Sequence, residues 1–204
     1  MEKTIKLGSD NMKSKTIKTD IIMLTILSFI GFCLEDIWMI FRHGVLDNRN
    51  MYLPFLFGYG LLILVLYYIF GTPKNLFNRY EIKGFKKYII YFLISMIIVS
   101  IGELLLGICV EKFLGYSYWN YSTIPLHITK YTSIPTSIGF ALVITLFMNY
   151  VFEPLRDTIS KKVDRIPLII VLLMLIVLLI DFFISFKTMY DNVGRNILWQ
   201  IRFR

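Results

Sequence analysis

Apolar runs separated by short polar segments recur along the chain, at 21–41, 51–70, 88–110, 133–152 and 167–186. Each run holds 20 to 23 residues, which as a helix rising about 1.5 Å per residue crosses a hydrocarbon core of roughly 30 Å. Ten-residue segments that alternate apolar and polar positions, the mark of a membrane barrel, do not occur. A spanning helix satisfies its own backbone hydrogen bonds, so the pattern predicts an all-α, polytopic integral membrane protein, a bundle of five transmembrane helices. Gly71 and Pro73 punctuate the end of the second run, Pro154 follows the fourth, and Pro167 suits the first turn of the fifth. The expected organisation is a basic cytoplasmic tail over 1–20, a membrane domain over 21–187 and a short C-terminal tail over 188–204.

Composition narrows the class further. The chain is 56% hydrophobic and 18% charged, with a mean hydropathy of +0.65, which excludes an ordinary soluble enzyme core and intrinsic disorder. The net charge of +8 would fit a nucleic-acid partner, but the basic residues are distributed as in a membrane protein. Of the 22 Lys and Arg, fourteen fall in the tail 1–20 and the segments 71–87 and 153–166, and eight fall in the alternate segments. The lipid bilayer, and no nucleic acid, is therefore the expected partner, with the N-terminus cytoplasmic and the C-terminus outside a cytoplasmic membrane. The N-terminal tail is long for a signal n-region and no small-residue cleavage site follows, so the first span is expected to stay uncleaved. Lys187, Arg195, Arg202 and Arg204 lie on the less basic side, and Val193, Ile197, Leu198, Trp199 and Ile201 are compatible with a short surface helix in the tail.

The candidate chemistry is carried by charges inside the apolar runs. Glu35 and Asp36 fall in the first, Glu103 in the third and Asp181 in the fifth, and such acids are costly unless they face protein or water. Counted from the inner end of each run, Glu35, Glu103 and Asp181 all lie roughly 21 to 23 Å deep, as a shared polar ligand site would require. Arg42 follows Glu35 at i+7, placed to neutralise it from the outer end, while Asp36 points elsewhere, toward His43 or a protonated state. The loop Gly115–Tyr121 is dense in aromatics and reads either as an interfacial belt or as a rim through which Trp119 and Tyr121 contact a ligand or cation. Cys33 and Cys109 differ in depth by more than a disulfide tolerates, and neither makes a metal spacing with His43 or His127. No Walker motif, G-x-S-x-G or H-E-x-x-H occurs, so neither a cofactor, a metal nor an enzymatic activity is expected. An intramembrane hydrolase built on Glu35, Glu103 and Asp181 is the weakest of the alternatives.

Three stretches resemble the bacterial membrane family described as putative ABC-transporter type IV, or CmpB-like. They are Gly31-Phe-Cys-Leu-Glu35 with Arg42, Val45, Asn48-Arg49 and 54–60; Glu103 with Glu111-Lys-Phe-Leu-Gly115, Tyr118-Trp-Asn-Tyr-Ser122 and Pro125-Leu126; and Asp181-Phe-Phe-Ile-Ser185. Phe32 stands where the family usually has Trp, Asn120 where it has Asp, and Ile128-Thr-Lys-Tyr replaces an Asn-Gly-Arg-Ile type segment. The resemblance implies a five-helix protein of the cytoplasmic membrane with a transporter assignment. On that basis the chain is expected to be a permease-like component with a polar intramembrane site, served by a separate ATPase subunit if transport is ATP-driven. For that ATPase, 155–163 is the best docking candidate, against the alternative of a solvated linker. The competing reading is a non-transporting sensor, assembly factor or accessory protein whose buried charges are structural. A homo-oligomer is left open.

Overall fold

The structure, a computed structural model, describes residues 2–77 and 79–203, with side chains from residue 12 onward. The Lys3 and Lys6 side chains and Arg204, counted above among the basic residues, lie outside the described residues. In chain order the elements are α1 (Glu2–His43), β1 (Val45–Asp47), α2 (Phe57–Phe70), β2 (Asn75–Leu76), β3 (Tyr80–Glu81), α3 (Lys86–Leu114), β4 (His127–Thr129) and β5 (Thr132–Ser133). Then come α4 (Ile134–Phe147), a π-helical turn (Met148–Phe152), α5 (Glu153–Lys162), a 3-10 turn (Val163–Arg165), α6 (Leu168–Asp191) and β6 (Gln200–Arg202).

Among the described residues, four helical runs are long and apolar enough to cross a membrane, Met12–His43, Lys86–Leu114, Ile134–Arg165 and Leu168–Asp191, and α2 is a shorter apolar helix. The basic tail before Ile21 is not a separate element, because α1 runs through it without a break. Glycines at positive φ stop two of the long helices. Gly44 (φ 63°) follows α1 and Gly115 (φ 77°) follows α3, where its N–H donates to the Glu111 carbonyl. Ser133 caps α4 by accepting from the Thr136 N–H, with Pro135 in the first turn. Pro154 does not end the fourth run as expected. The π turn immediately before it widens the helix, and the helix continues into α5 past a residue that lacks an N–H.

Packing divides the chain into two compact units, one made of 1–65, 154–187 and 196–204, the other of 66–153 and 188–195. In the first unit, Ile21 and Ile22 of α1 form a buried cluster with Val163 and Val171, flanked by Ile26, Ile159, Ile166, Met174 and Leu175. Charges seal the same end. Lys15 pairs with Asp164 at 2.8 Å, Arg156 with Asp20 at 3.1 Å, and the Lys18 ammonium donates to the Val163 and Ile166 carbonyls. At the other end of α1, β1 pairs antiparallel with β6, Val45 opposite Arg202 and Asp47 opposite Gln200. The C-terminal tail is thus a strand on the loop after the first span, in place of the expected surface helix. Asn48 explains the preference, because its amide bridges the Met51 and Asn196 carbonyls and accepts from the Leu198 N–H. Along α6, Ile169, Leu173, Ile176, Ile180 and Phe183 are all exposed, an apolar surface suited to lipid.

In the second unit α3 packs along α4, and β4 and β5 form a hairpin that leads into α4. The first residues expected in the second span, 51–56, are not helical. Their backbone is satisfied from elsewhere: the Tyr52 and Leu53 N–H groups donate to Asp181 Oδ1 at 3.1 and 2.9 Å, Tyr52 N–H also to Ser185 Oγ, and Leu56 N–H to the Ser28 carbonyl. Irregular backbone at membrane depth persists only where protein groups satisfy it in this way.

Candidate functional site

One local device appears in each unit. In the first, Gly31 leaves room for the Tyr59 ring, since a methyl built at Gly31 would fall within 3.0 Å of it, and the Tyr59 hydroxyl donates to Glu35 one helical turn further on. In the second, Gly107 makes the same space for the Tyr131 ring, whose hydroxyl donates to Glu111. The sequence behind both is Gly-x-Cys-x-Glu, Gly31-Phe-Cys-Leu-Glu35 and Gly107-Ile-Cys-Val-Glu111. Spacing of four puts the glycine and the carboxylate on one face, so one tyrosine from a following segment can pack on the first and bond to the second. Both cysteines of the chain lie between these partners and are free thiols. Tyr59 and Tyr131 were given no role from the sequence, and Glu111 entered only through the family resemblance, although the repeated motif was the signal that pairs glycine and carboxylate.

Asp36 and Asp181 hold loops. Asp181, buried in α6, is the acceptor for Tyr52 and Leu53 described above, with Ser185 on the next turn. Asp36, also buried, lies 3.3 Å from the Arg49 guanidinium, whose Nε also donates to Asp47 Oδ1 at 2.8 Å. The Asp47 carboxylate further accepts from the Arg49 N–H, an Asx turn that fixes this left-handed residue (φ 47°) and turns its side chain back on α1. Arg42 is exposed in the last turn of α1 and joins no ion pair among the described residues, so Arg49 is the guanidinium of this cluster. His43 is likewise exposed, and Asp36 meets Arg49.

Glu103, Trp119 and Tyr121 all belong to the second unit, and Tyr121 meets Glu103. The Tyr121 hydroxyl donates to Glu103 Oε1 at 3.1 Å, and its N–H donates to the Lys130 carbonyl at 2.8 Å. Trp119 Nε1 donates to the Tyr131 carbonyl at 2.9 Å, with the two rings edge-on at 6.4 Å. The aromatic loop therefore rests on the β4–β5 hairpin, and the hairpin rests on α3 through Glu111. That carboxylate accepts from Lys130 at 2.7 Å, from Ser117 at 2.8 Å and from Tyr131. The bond to Glu111 raises the Lys130 ammonium above its ordinary value and likewise raises the Tyr131 phenol. Hydroxyl and carboxylate thus meet at Glu103 in the C-terminal half of α3, and the indole is held on the hairpin beside Tyr131. Glu35 and Asp181 belong to the other unit, where Tyr59 and the 51–56 backbone engage them.

A family model described as putative ABC-transporter type IV matches residues 22–186, most of the chain. No curated protein and no solved structure matches it.

Proposed function

The chain belongs to the putative ABC-transporter type IV family, and from that premise we propose that this membrane protein is a permease-like component whose solute contacts Glu103, Tyr121 and Trp119. The carrying observation is the Tyr121–Glu103 hydrogen bond, which ties the aromatic loop to an acid within an apolar helix. An acid retained at membrane depth normally faces protein or water, and a loop bonded to it supplies both a rim and a means of closing over it. The basic end of the first unit, with Lys15, Lys18, Arg156, Lys161 and Lys162, supports a cytoplasmic N-terminus. On that side α5 shows an exposed charged face of Asp157, Lys161 and Lys162 to a separate ATPase subunit, while its Ile159 packs inward. The role is transport or its support, and no bond-breaking chemistry is assigned to the chain.

A second reading, a non-transporting accessory or assembly protein, is favoured by Asp36 and Asp181, both of which serve as loop anchors. One titration separates the two. In a Trp38→Phe, Trp199→Phe background, Trp119 reports alone, and purified protein in vesicles is titrated with guanidinium and tetramethylammonium. A saturable change in Trp119 emission that Glu103→Gln abolishes without loss of folded protein is expected. A flat response, together with a stable Glu103→Gln protein, sinks the solute site and leaves the accessory reading.

A further inference from the structure

The segment of the second unit that leads into α3 is basic and aromatic. Between Gly71 and Tyr88 stand Lys74, Arg79, Lys83, Lys86 and Lys87 against one acid, Glu81. Phe77, Tyr80 and Phe85 are exposed there. The turn that carries Lys74 is pinned in place. Thr72 and Asn75 exchange backbone hydrogen bonds at 3.3 and 3.0 Å, the Thr72 hydroxyl donates to Glu153 Oε1 at 2.9 Å, and the Tyr91 hydroxyl donates to the Gly71 carbonyl at 2.9 Å. Pro73 and Leu76 are buried on either side of the exposed Lys74.

At the start of α3, Tyr88 stacks with Tyr150 of the π turn, the ring centroids 6.4 Å and the hydroxyls 2.8 Å apart. Lys87 Nζ lies 4.9 Å from the Tyr88 ring centroid, and the charges of Lys87 and Lys74 both reach the Tyr150 phenol. Neither ammonium meets a carboxylate among the described residues, and Glu153, three residues beyond Tyr150, is engaged by Thr72. The two phenols hold two protons, and their mutual bond uses one. Tyr88 accepts from Asn149 Nδ2 and can donate to Tyr150, which leaves the proton of the exposed Tyr150 hydroxyl to offer outward.

Two ammoniums without a carboxylate and one spare hydroxyl proton form a donor set for a phosphate. Apolar surface begins beside it: Ile89 and Leu93 on α3, and Leu146 and Val143 on α4, are all exposed, as suits side chains that face lipid. An anionic head with apolar tails matches both halves. Basic residues at the end of a span attract acidic lipids, and 71–87 falls on the side expected to be cytoplasmic.

We propose that Lys74, Lys87 and Tyr150 bind the phosphodiester headgroup of an anionic glycerophospholipid, whose acyl chains run along the exposed faces of α3 and α4. A zwitterionic lipid is disfavoured, because its own ammonium meets like charge from Lys83 and Lys86. The site lies toward the other end of α3 from Glu103 and does not depend on the solute reading.

Purified full-length protein, delipidated in a neutral detergent, is melted with dioctanoyl phosphatidylglycerol, dioctanoyl phosphatidylcholine or sodium phosphate at matched ionic strength. Phosphatidylglycerol is expected to raise Tm saturably, by about 3 to 5 °C at tenfold excess over its dissociation constant, and the other two are expected to give no saturable shift. Lys74→Gln with Lys87→Gln abolishes the shift, and Tyr150→Phe moves saturation to higher lipid. Arg79→Gln with Lys83→Gln, which removes the same charge from elsewhere in the segment, retains it. Identical melting with both lipids overturns the proposal and leaves the basic face to an acidic protein partner. An equal saturable shift with inorganic phosphate overturns the lipid assignment, and an equal loss in both double variants reduces the site to diffuse attraction and overturns it as well. Where the Lys74, Lys87 variant does not fold, Lys74→Gln alone replaces it, and an unmoved saturation point there counts against the site.

Discussion

Asp181 and Ser185 take over the hydrogen bonding that Tyr52 and Leu53 would have had in a longer helix. Replacing Asp181 with Ala orphans the Leu53 N–H, at a cost of about 1 to 3 kcal/mol, and leaves the Tyr52 N–H with Ser185 alone. Thermal unfolding in detergent should show a clear loss for Asp181→Ala and a smaller one for Asp181→Asn, which keeps an acceptor. The tyrosine clamps make a matching prediction about volume. Gly31→Ala and Gly107→Ala drive a methyl into the Tyr59 and Tyr131 rings and should each destabilise by about 1 to 3 kcal/mol, while Gly139→Ala, which meets nothing within 4 Å, should be nearly neutral in the same assay. The acids were legible in the sequence as individuals, because charge in an apolar run is conspicuous. Their partners were not, since Tyr59 and the 51–56 backbone reach Glu35 and Asp181 from segments that no helical spacing relates to them. Helical spacing pointed to Arg42 for Glu35, which Tyr59 engages instead, and to His43 for Asp36, where the left-handed turn at Asp47–Arg49 delivers a guanidinium.

The β4–β5 hairpin and the aromatic loop behave as one element hung on Glu111. Lys130 is raised by that carboxylate, so its contribution to docking is complete below the ordinary lysine value of 10.5 and is lost as pH climbs through the raised one. Trp119 emission in the single-tryptophan protein should therefore be flat from pH 6 to 9, roughly, and change only at strongly alkaline pH. An onset near neutrality would contradict this anchoring. Hydropathy identified the helices well because lipid demands unbroken apolar length, and it misplaced their ends where side chains substitute for helical bonds. Residues 51–56 were assigned to a helix for their apolarity and are held in a bent, non-helical path by Asp181 and Ser28. Pro154 read as a terminator, and the π turn carries the helix past it. The apolar tail read as a surface helix, and Asn48 draws it into a strand.

At the scale of the whole molecule, the short helix α2 decides the architecture. Its 14 residues span only about 21 Å as a helix, less than the membrane core. It is preceded by the non-helical stretch 51–56, which Asp181 and the Ser28 carbonyl hold in place. Contacts within the first unit require it to cross. β1 and β6 pair, and Lys15 meets Asp164, so the chain must return to the same side between 47 and 200 and between 15 and 164. Both returns need an even number of crossings, which holds only if α2 is one of them. Five crossings are therefore expected, with residues 15 and 200 on opposite sides of the membrane. The most direct test is single-cysteine labelling in a Cys33→Ser, Cys109→Ser background, with an impermeant maleimide applied from outside to intact cells. Reporters at Ser122 and Gln200 should label while those at Ser14 and Thr158 stay protected until the membrane is opened. Labelling of Thr158 from outside, or protection of Gln200, would mean that α2 does not cross and would contradict the account.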